Sequence, residues 1–368
     1  MSRIILSGYY GMQNTGDDAF SAVTSWGVKK YLNATKVLIH SSLIPEFKNS
    51  QSVQPIYVKK TRFKGENKLR FYYNLLRSKS IVFGGGSIFH SSDILKKQIV
   101  LLRLSGKGPH AALGVSIGPF RDSKAEKVCA DLLKRLSFVG LRDMSSFDIA
   151  RSIAPEVRSE KTFDLAVMLP RAEGYSIESF SKGVQRRGIG VALCNYERYI
   201  GGDIMREEVR KKKMVEMLRQ LDPEENEEII FIDFNGHDYF GDREIHSEII
   251  AEMGDHIRVR HIPYSPNPME VLRMISGLRA IIAMRLHAAV FGYISQTPTI
   301  MLSYHPKCTD WANEIEMPQG NIFDSYDFDI HQVKARIKQA VSGVSDEATV
   351  SPLEAEKLGM KNWLWLNE

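Results

Sequence analysis

The sequence predicts an α/β protein of two doubly wound domains that face each other across a cleft. Three observations carry that expectation. Apolar runs of strand length alternate with helical patterns almost throughout, which argues for mostly parallel sheets covered on both faces. At 368 residues the chain is long for one core and comfortable for two. The alternation breaks once, around 170–187, where a polar stretch with Pro170, Gly174 and Gly183 reads as a linker.

The first domain is therefore expected over 1–175 and the second over 185–350. Strands of the first are read at "RIILSGYY", "KVLIHSS", "PIYV", "SIVFGGGS", "HAALGVSIG", "FVGLRD" and "TFDLAV", with helices near 17–31, 68–78, 122–136 and 144–153. In the second, "GIGVALC", "EEIIFIDF", "HIRVRHIPY", "LRAIIAMR" and "TPTIMLSY" are strands, and helices fall near 203–221, 240–253, 267–276 and 286–296. The last segment, 351–368, reads as a helix that starts near Pro352 and crosses back onto the first domain. In such sheets ligands bind at the carboxyl ends of strands.

No apolar run reaches the roughly eighteen residues that a membrane span needs. The three cysteines, Cys129, Cys194 and Cys308, are far apart and odd in number, so neither a disulfide framework nor a zinc pattern follows. A reducing cytoplasm is the expected compartment, with at most peripheral contact at the inner face of the plasma membrane. A net charge of +5 suits an anionic substrate. Basic clusters at 59–70 and 206–214 read as a solvated loop and helix face, with docking on anionic lipid as the alternative. No nucleic-acid motif accompanies them. The oligomeric state is left open.

The chemistry concentrates in "AIIAMRLHAAVFGYISQTPTIMLSYHPK". Arg285 ends a strand and His287 falls in the first turn of the next helix. A helix start carries unpaired N–H groups and a positive dipole end, so cations there are unfavourable unless an anion arrives. Tyr304, His305 and Lys307 follow the next strand. In the first half, "LRDMSS" places Arg142 at a strand end, where Asp143 suits a helix cap and a cation does not. Asp164 is read as orienting Arg142. Together Arg142, Arg285, His287 and Lys307 form an expected basic site lined by both domains, suited to a small anion carrying carboxylate and phosphate. Gly84, Gly85 and Gly86 follow a strand, where a ligand or another backbone comes close. No compact metal-ligand cluster is legible, and no metal is expected.

In this order "GYYGMQNTGDDAF", "FGGGS", "LRDMSS", "FDLAV", "MRLHAAVFG" and "SYHPK" resemble the polysaccharide pyruvyl transferases over nearly the whole chain. The resemblance implies a GT-B-like fold of two Rossmann-like domains. It implies transfer of pyruvate from phosphoenolpyruvate onto two hydroxyls of a sugar, giving a cyclic ketal on a polysaccharide or its lipid-linked precursor. No cofactor beyond that donor is implied. Arg142, His287 and Lys307 match the family's donor-site Arg, His and Lys, with Arg285 in support. His305 departs from the family, where Asp is frequent. The competing reading is a GT-B-like glycosyltransferase using a nucleotide sugar, with Glu270 as the carboxylate for its ribose.

One stretch resists a simple reading. Gly11 and Gly16 have the spacing of a phosphate-cradling loop, yet Asp17 and Asp18 follow where Lys and Ser or Thr are needed. Asp17 or Asp18 is expected to cap the next helix. Alternatively Asn14, Asp17 and Asp18, with Gly85 and Gly86, hold the acceptor sugar on the wall opposite the anion site.

Overall fold

The computed structural model describes residues 2–181, 183–221, 228–254 and 257–367. The chain divides into two compact units, and neither is a single stretch of sequence. Unit 1 comprises Met1–Met12, Asp17–Gly174 and Glu354–Glu368; unit 2 comprises Gln13–Gly16 and Tyr175–Leu353.

Unit 1 holds a seven-stranded parallel sheet in the order β3-β2-β1-β4-β5-β6-β7. Its strands are β1 (Arg3–Ser7), β2 (Lys36–Ile39), β3 (Val53–Pro55), β4 (Ser80–Phe89), β5 (Ala111–Ile117), β6 (Phe138–Leu141) and β7 (Ser159–Lys161). All seven residues of β5 are buried, as the centre of a sheet covered on both faces requires. The covering helices are α1 (Thr15–Tyr31), α2 (Glu66–Leu76), α3 (Ser92–Leu104), α4 (Ala125–Leu133), α5 (Met144–Ile153) and the short α6 (Leu169–Glu173). Strand order reverses between β1 and β4, which places a ligand-binding switch point at the turns after these two strands.

Unit 2 repeats the design with six parallel strands ordered β10-β9-β8-β11-β12-β13. These are β8 (Ile189–Ala192), β9 (Ile229–Ile232), β10 (Val259–Ile262), β11 (Ala280–Ala283), β12 (Thr299–Ser303) and β13 (Ile322–Asp324). Its helices are α7 (Tyr196–Ile200), α8 (Ile204–Arg219), α9 (Arg243–Met253), α10 (Pro268–Ser276), α11 (Leu286–Ile294), α12 (Pro306–Glu314) and α13 (Ile330–Val341). Here the order reverses between β8 and β11.

The chain's last helix, α14 (Pro352–Leu364), belongs mostly to unit 1. Trp363 is fully buried against Gly27 of α1, where any Cβ would overlap the indole. Asn362 Oδ1 accepts the Gly114 N–H of β5 at 2.8 Å. The stretch read as a linker is largely folded. "TFDLAV", read as a strand, is instead a short helical turn at Leu165–Met168, because Asp164 caps it by accepting the Ala166 N–H. Within the linker stretch a second turn at Ile177–Phe180 follows α6, because Ile177 and Phe180 find burial.

Beneath α2 lies a buried histidine. His40 Nε2 is 2.6 Å from the Tyr57 hydroxyl, and the ring stacks on Phe71 of α2 with centroids 4.7 Å apart. Burial pushes its pKa from the ordinary 6.5 down to about 4. The folded state thus holds a neutral imidazole. Below pH 6.5 the unfolded chain takes up a proton that the folded chain refuses until about pH 4. Stability is lost across that window, by roughly 3 kcal/mol. Denaturant unfolding at pH 7.5 and pH 4.5 checks this: the fall in stability should be clearly smaller in His40→Gln than in the native sequence, and an identical fall would remove His40 as its source.

Candidate active site

The switch point of unit 2 is built around a buried ion pair. The N–H groups of Met284 and Arg285 donate to the Ala192 carbonyl, at 2.9 and 3.1 Å, so the end of β11 is fixed to the end of β8. Arg285 is the residue before α11. Its Nε donates to the Asp242 carboxylate at 2.9 and 3.1 Å, and its Nη2 donates to the same group. Asp242 is 0% exposed. Burial alone would favour a neutral guanidinium, but Asp242 outweighs it and pushes the Arg285 pKa upward. Arg285, expected to support the anion, is therefore neutralised within unit 2. Both N–H groups of Nη1 and one of Nη2 have no hydrogen-bond partner among the described residues. Cys194, also at this edge, is held inert: burial raises its thiol to about 11 against the opposing pull of Arg285.

Asp242 also organises the loop after β9. Its Oδ2 accepts the N–H groups of Phe234 and Asn235, each at 2.9 Å. That loop in turn takes hold of residues 13–16. Thr15 N–H donates to the Phe234 carbonyl at 2.9 Å, Gly236 N–H donates to the Gln13 carbonyl at 2.8 Å, and Asn14 forms an antiparallel bridge with Asn235. The glycine-rich turn thus delivers four residues to unit 2. This corrects the placement of Asn14 on a wall opposite the anion site. It also explains Gly16: a Cβ there would lie 1.9 Å from His287 Nδ1. The glycine lets the main chain press against the imidazole.

Asn14 Oδ1 accepts the Gly16 N–H at 3.1 Å, just ahead of α1. The cap is thus Asn14 rather than Asp17 or Asp18, which occupy the first turn where the dipole favours carboxylates. Asp18 is 1% exposed and so cannot reach an acceptor sugar, whereas Asp17 is half-buried. Gly85 is likewise not a ligand contact: with φ at +70°, its missing side chain makes room for the Phe20 ring. At Gly86, with φ at +84°, a Cβ would lie in ordinary contact distance, 3.7 Å, of the Asp17 carboxylate.

His287 is half-buried, at the second position of α11. That helix is buried nearly all round, and Gly292 brings it against Thr299 of β12. At the end of β12, His305 precedes α12 and its Nδ1 accepts the Lys307 N–H at 3.2 Å. A ring nitrogen here fills the role an Asp would serve as a cap, without its charge. Lys307 Nζ lies 5.1 Å from the centroid of the Tyr304 ring. Burial holds the Tyr304 phenol well above its usual pKa, so it stays protonated. Adjacent strands β11 and β12 therefore present His287 and Lys307 in the first turns of two helices, on the carboxyl edge of one sheet.

In unit 1, Arg142 meets Asp164, as the sequence suggested, and two serines that it did not. Nη1 donates to Asp164 Oδ2 at 2.9 Å, Nε to Ser116 Oγ at 2.6 Å and Nη2 to Ser87 Oγ at 3.1 Å. Asp143, the cap of α5, accepts from Ser146 N–H and from the Ser116 hydroxyl. Arg142 is 8% exposed, and two of its five N–H groups remain for a ligand.

A further cluster was not legible in the sequence and corrects the expectation that none exists. Asp233, His246 and His261 bring one potential ligand atom each to within 4.8 Å of one another. The hydrogen bonds argue for a relay rather than a metal cage. His246 Nε2 accepts the Leu193 N–H at 3.0 Å, so its proton sits on Nδ1 and is donated to Asp233 Oδ1 at 2.6 Å. Both ring nitrogens are thereby committed. His261 Nε2 meets the same oxygen at 2.8 Å. Burial raises the Asp233 pKa, but the two imidazoles outweigh it and the net shift is downward.

With this geometry in place, the comparisons are direct. The family model of polysaccharide pyruvyl transferases matches residues 14–306. The chain belongs to that family. No curated protein matches it. Several solved structures share its fold. A UDP-GlcNAc 2-epimerase from Methanocaldococcus jannaschii is 12% identical, with a TM-score of 0.60 over 100% of this chain and 99% of that one. A putative UDP-N-acetylglucosamine 2-epimerase from Listeria monocytogenes is 10% identical, with a TM-score of 0.59 over 100% and 94%. A structure of S. aureus MnaA with UDP is 10% identical, with a TM-score of 0.61 over 100% and 97%. At such identities the likeness is one of fold, the GT-B type of two Rossmann-like domains.

Two site features of this pyruvyl transferase family member escaped the sequence reading. Nothing local in the sequence links Asp242 to Arg285. The return of residues 13–16 to unit 2 has only one trace, the odd Gly-Asp-Asp run. Asp242→Ala should cost about 3–5 kcal/mol, because it strands a buried guanidinium and two N–H groups. Denaturant unfolding reads this, and a loss below about 1 kcal/mol would refute the hub role. Gly16→Ala should leave the unfolding midpoint nearly unchanged but lower transferase turnover at least tenfold by displacing His287. Unaltered turnover would show that the imidazole position does not matter.

Proposed function

We propose that this family member transfers pyruvate from phosphoenolpyruvate to two hydroxyls of a sugar unit in a polysaccharide or its lipid-linked precursor, forming a cyclic ketal. The observation that carries the reading is the pairing on one sheet edge. His287 and Lys307 stand in the first turns of α11 and α12, each supplying an N–H-rich, positive helix start beside a basic side chain. A donor with a carboxylate and a phosphate on one carbon matches that arrangement.

In this scheme Lys307 and the remaining N–H groups of Arg285 hold the anionic groups; Arg142, which matches the family's donor-site Arg, keeps two uncommitted N–H groups in unit 1. His287 moves the proton. Protonation of the vinyl carbon leaves an electrophilic carbon bearing carboxylate and phosphate. One sugar hydroxyl adds to it and loses its proton. The carbon–oxygen bond to phosphate then breaks, and the second hydroxyl closes the ring with loss of its own proton. Phosphoenolpyruvate and a diol give a ketal and inorganic phosphate, so atoms and protons balance. Every charge change occurs beside fixed N–H groups, where stabilisation needs little reorganisation. Asp17, beside Gly86, is the acceptor-side candidate that the geometry retains.

The test is an assay of phosphate release and ketal product with phosphoenolpyruvate and a panel of sugar and lipid-linked acceptors. A nucleotide-sugar arm runs in parallel. Phosphoenolpyruvate should support transfer. His287→Ala should reduce turnover by at least a hundredfold with the fold intact, and Lys307→Ala should mainly raise the KM for the donor. Transfer from the nucleotide sugar alone would replace this reading with glycosyl transfer.

A further inference from the structure

Helix α2 has two apolar faces. Phe71 and Leu75 turn inward to the unit 1 core. Leu69, Tyr72, Tyr73 and Leu76 follow the helical spacing i, i+3, i+4, i+7, and they are 62, 39, 57 and 65% exposed. Phe63, just ahead of the helix, is 53% exposed. A stripe with that periodicity ordinarily faces a core; this one faces solvent.

Charge sets the stripe apart further. Between Lys59 and Lys79 there are eight lysines and arginines and one acid, Glu66, so these residues carry +7 where the whole chain carries +5. Glu66 is 6% exposed, accepts the Arg62 N–H at 2.6 Å and pairs with Arg70 at 2.8 Å. The lone acid is turned inward, so the exposed charges of this segment are all cations.

We propose that this face of unit 1 docks on the surface of an anionic lipid bilayer. The tyrosines and Phe63 suit the headgroup level, Leu69 and Leu76 reach the acyl boundary, and the lysines meet lipid phosphates while their stems lie along apolar surface. A second copy of the chain fits poorly, since a two-fold contact would set +7 against +7. Protein interfaces are depleted in lysine, and nucleic acid offers nothing apolar to Leu69 and Leu76. The inference concerns binding alone, so it stands or falls separately from the reaction proposed above.

Vesicle flotation of the full chain tests it, comparing phosphatidylcholine alone with phosphatidylcholine containing about one third phosphatidylglycerol. The protein should float with the anionic vesicles, not the neutral ones, and release should increase with salt. Replacing Lys59, Lys60, Lys64 and Lys68 by Gln should weaken partitioning roughly a hundredfold or more. Leu69→Ser with Leu76→Ser should remove the part that survives high salt. Both variants change exposed side chains, and unfolding midpoints confirm that the fold is kept. Three outcomes overturn the proposal: no binding to anionic vesicles, equal binding to neutral ones, or a self-association in sedimentation that the leucine variant abolishes.

Discussion

The second unit depends on one interaction, the buried pair of Arg285 and Asp242. Its two partners belong to different elements, a strand end and a loop more than forty residues earlier in the chain. Asp242 does more than balance a charge. It draws in the N–H groups of Phe234 and Asn235, and the Phe234 carbonyl then receives Thr15. Gly16, the next residue, rests on His287, two positions from Arg285. The contacts form a closed circuit that begins and ends at the start of α11. A buried pair is often no more stabilising than a well-packed apolar one. What this pair contributes is geometry: it fixes the loop that positions the turn that confines the imidazole.

That circuit also resolves the chemical puzzle of a cation at a helix start. Two explanations compete there, a ligand anion and a protein carboxylate. For Arg285 the protein carboxylate is present and takes most of the guanidinium. For Arg142 the answer is similar, with Asp164 and two serines. His287 and Lys307 follow the ends of β11 and β12, each in the first turn of the next helix.

Much of the fold was legible because parallel strands buried on both faces leave continuous apolar runs. The runs Ile189–Cys194 around β8 and Ala280–Met284 around β11 are short and bounded by glycine or polar residues. The basic edge at "MRLHAA" and "SYHPK" was also legible, since a cation just past a strand and ahead of a helix violates the local dipole. Other features carried no local mark. Asp242 stands just ahead of α9 where a cap is common, yet its side chain makes no cap hydrogen bond, and its true partners are invisible without their positions. His246 and Asp233 are thirteen residues apart in sequence and meet only because α9 folds back on β9. Gly85 looked like room for a ligand and is room for Phe20. Each miss has one cause: sequence reveals what a residue does to its neighbours in the chain, and these residues act on neighbours in space.

Consider finally the order in which the chain leaves the ribosome. Unit 1 lacks α14 until everything from Tyr175 to Leu353 has been made, whereas unit 2 has its early piece, Gln13–Gly16, from the outset. The first sheet is therefore synthesised first and completed last. Until Trp363 arrives, the surface of α1 around Gly27 lacks its cover, and the Gly114 N–H lacks its Asn362 acceptor. Separating the units by cutting between Gly174 and Tyr175 would yield two incomplete fragments.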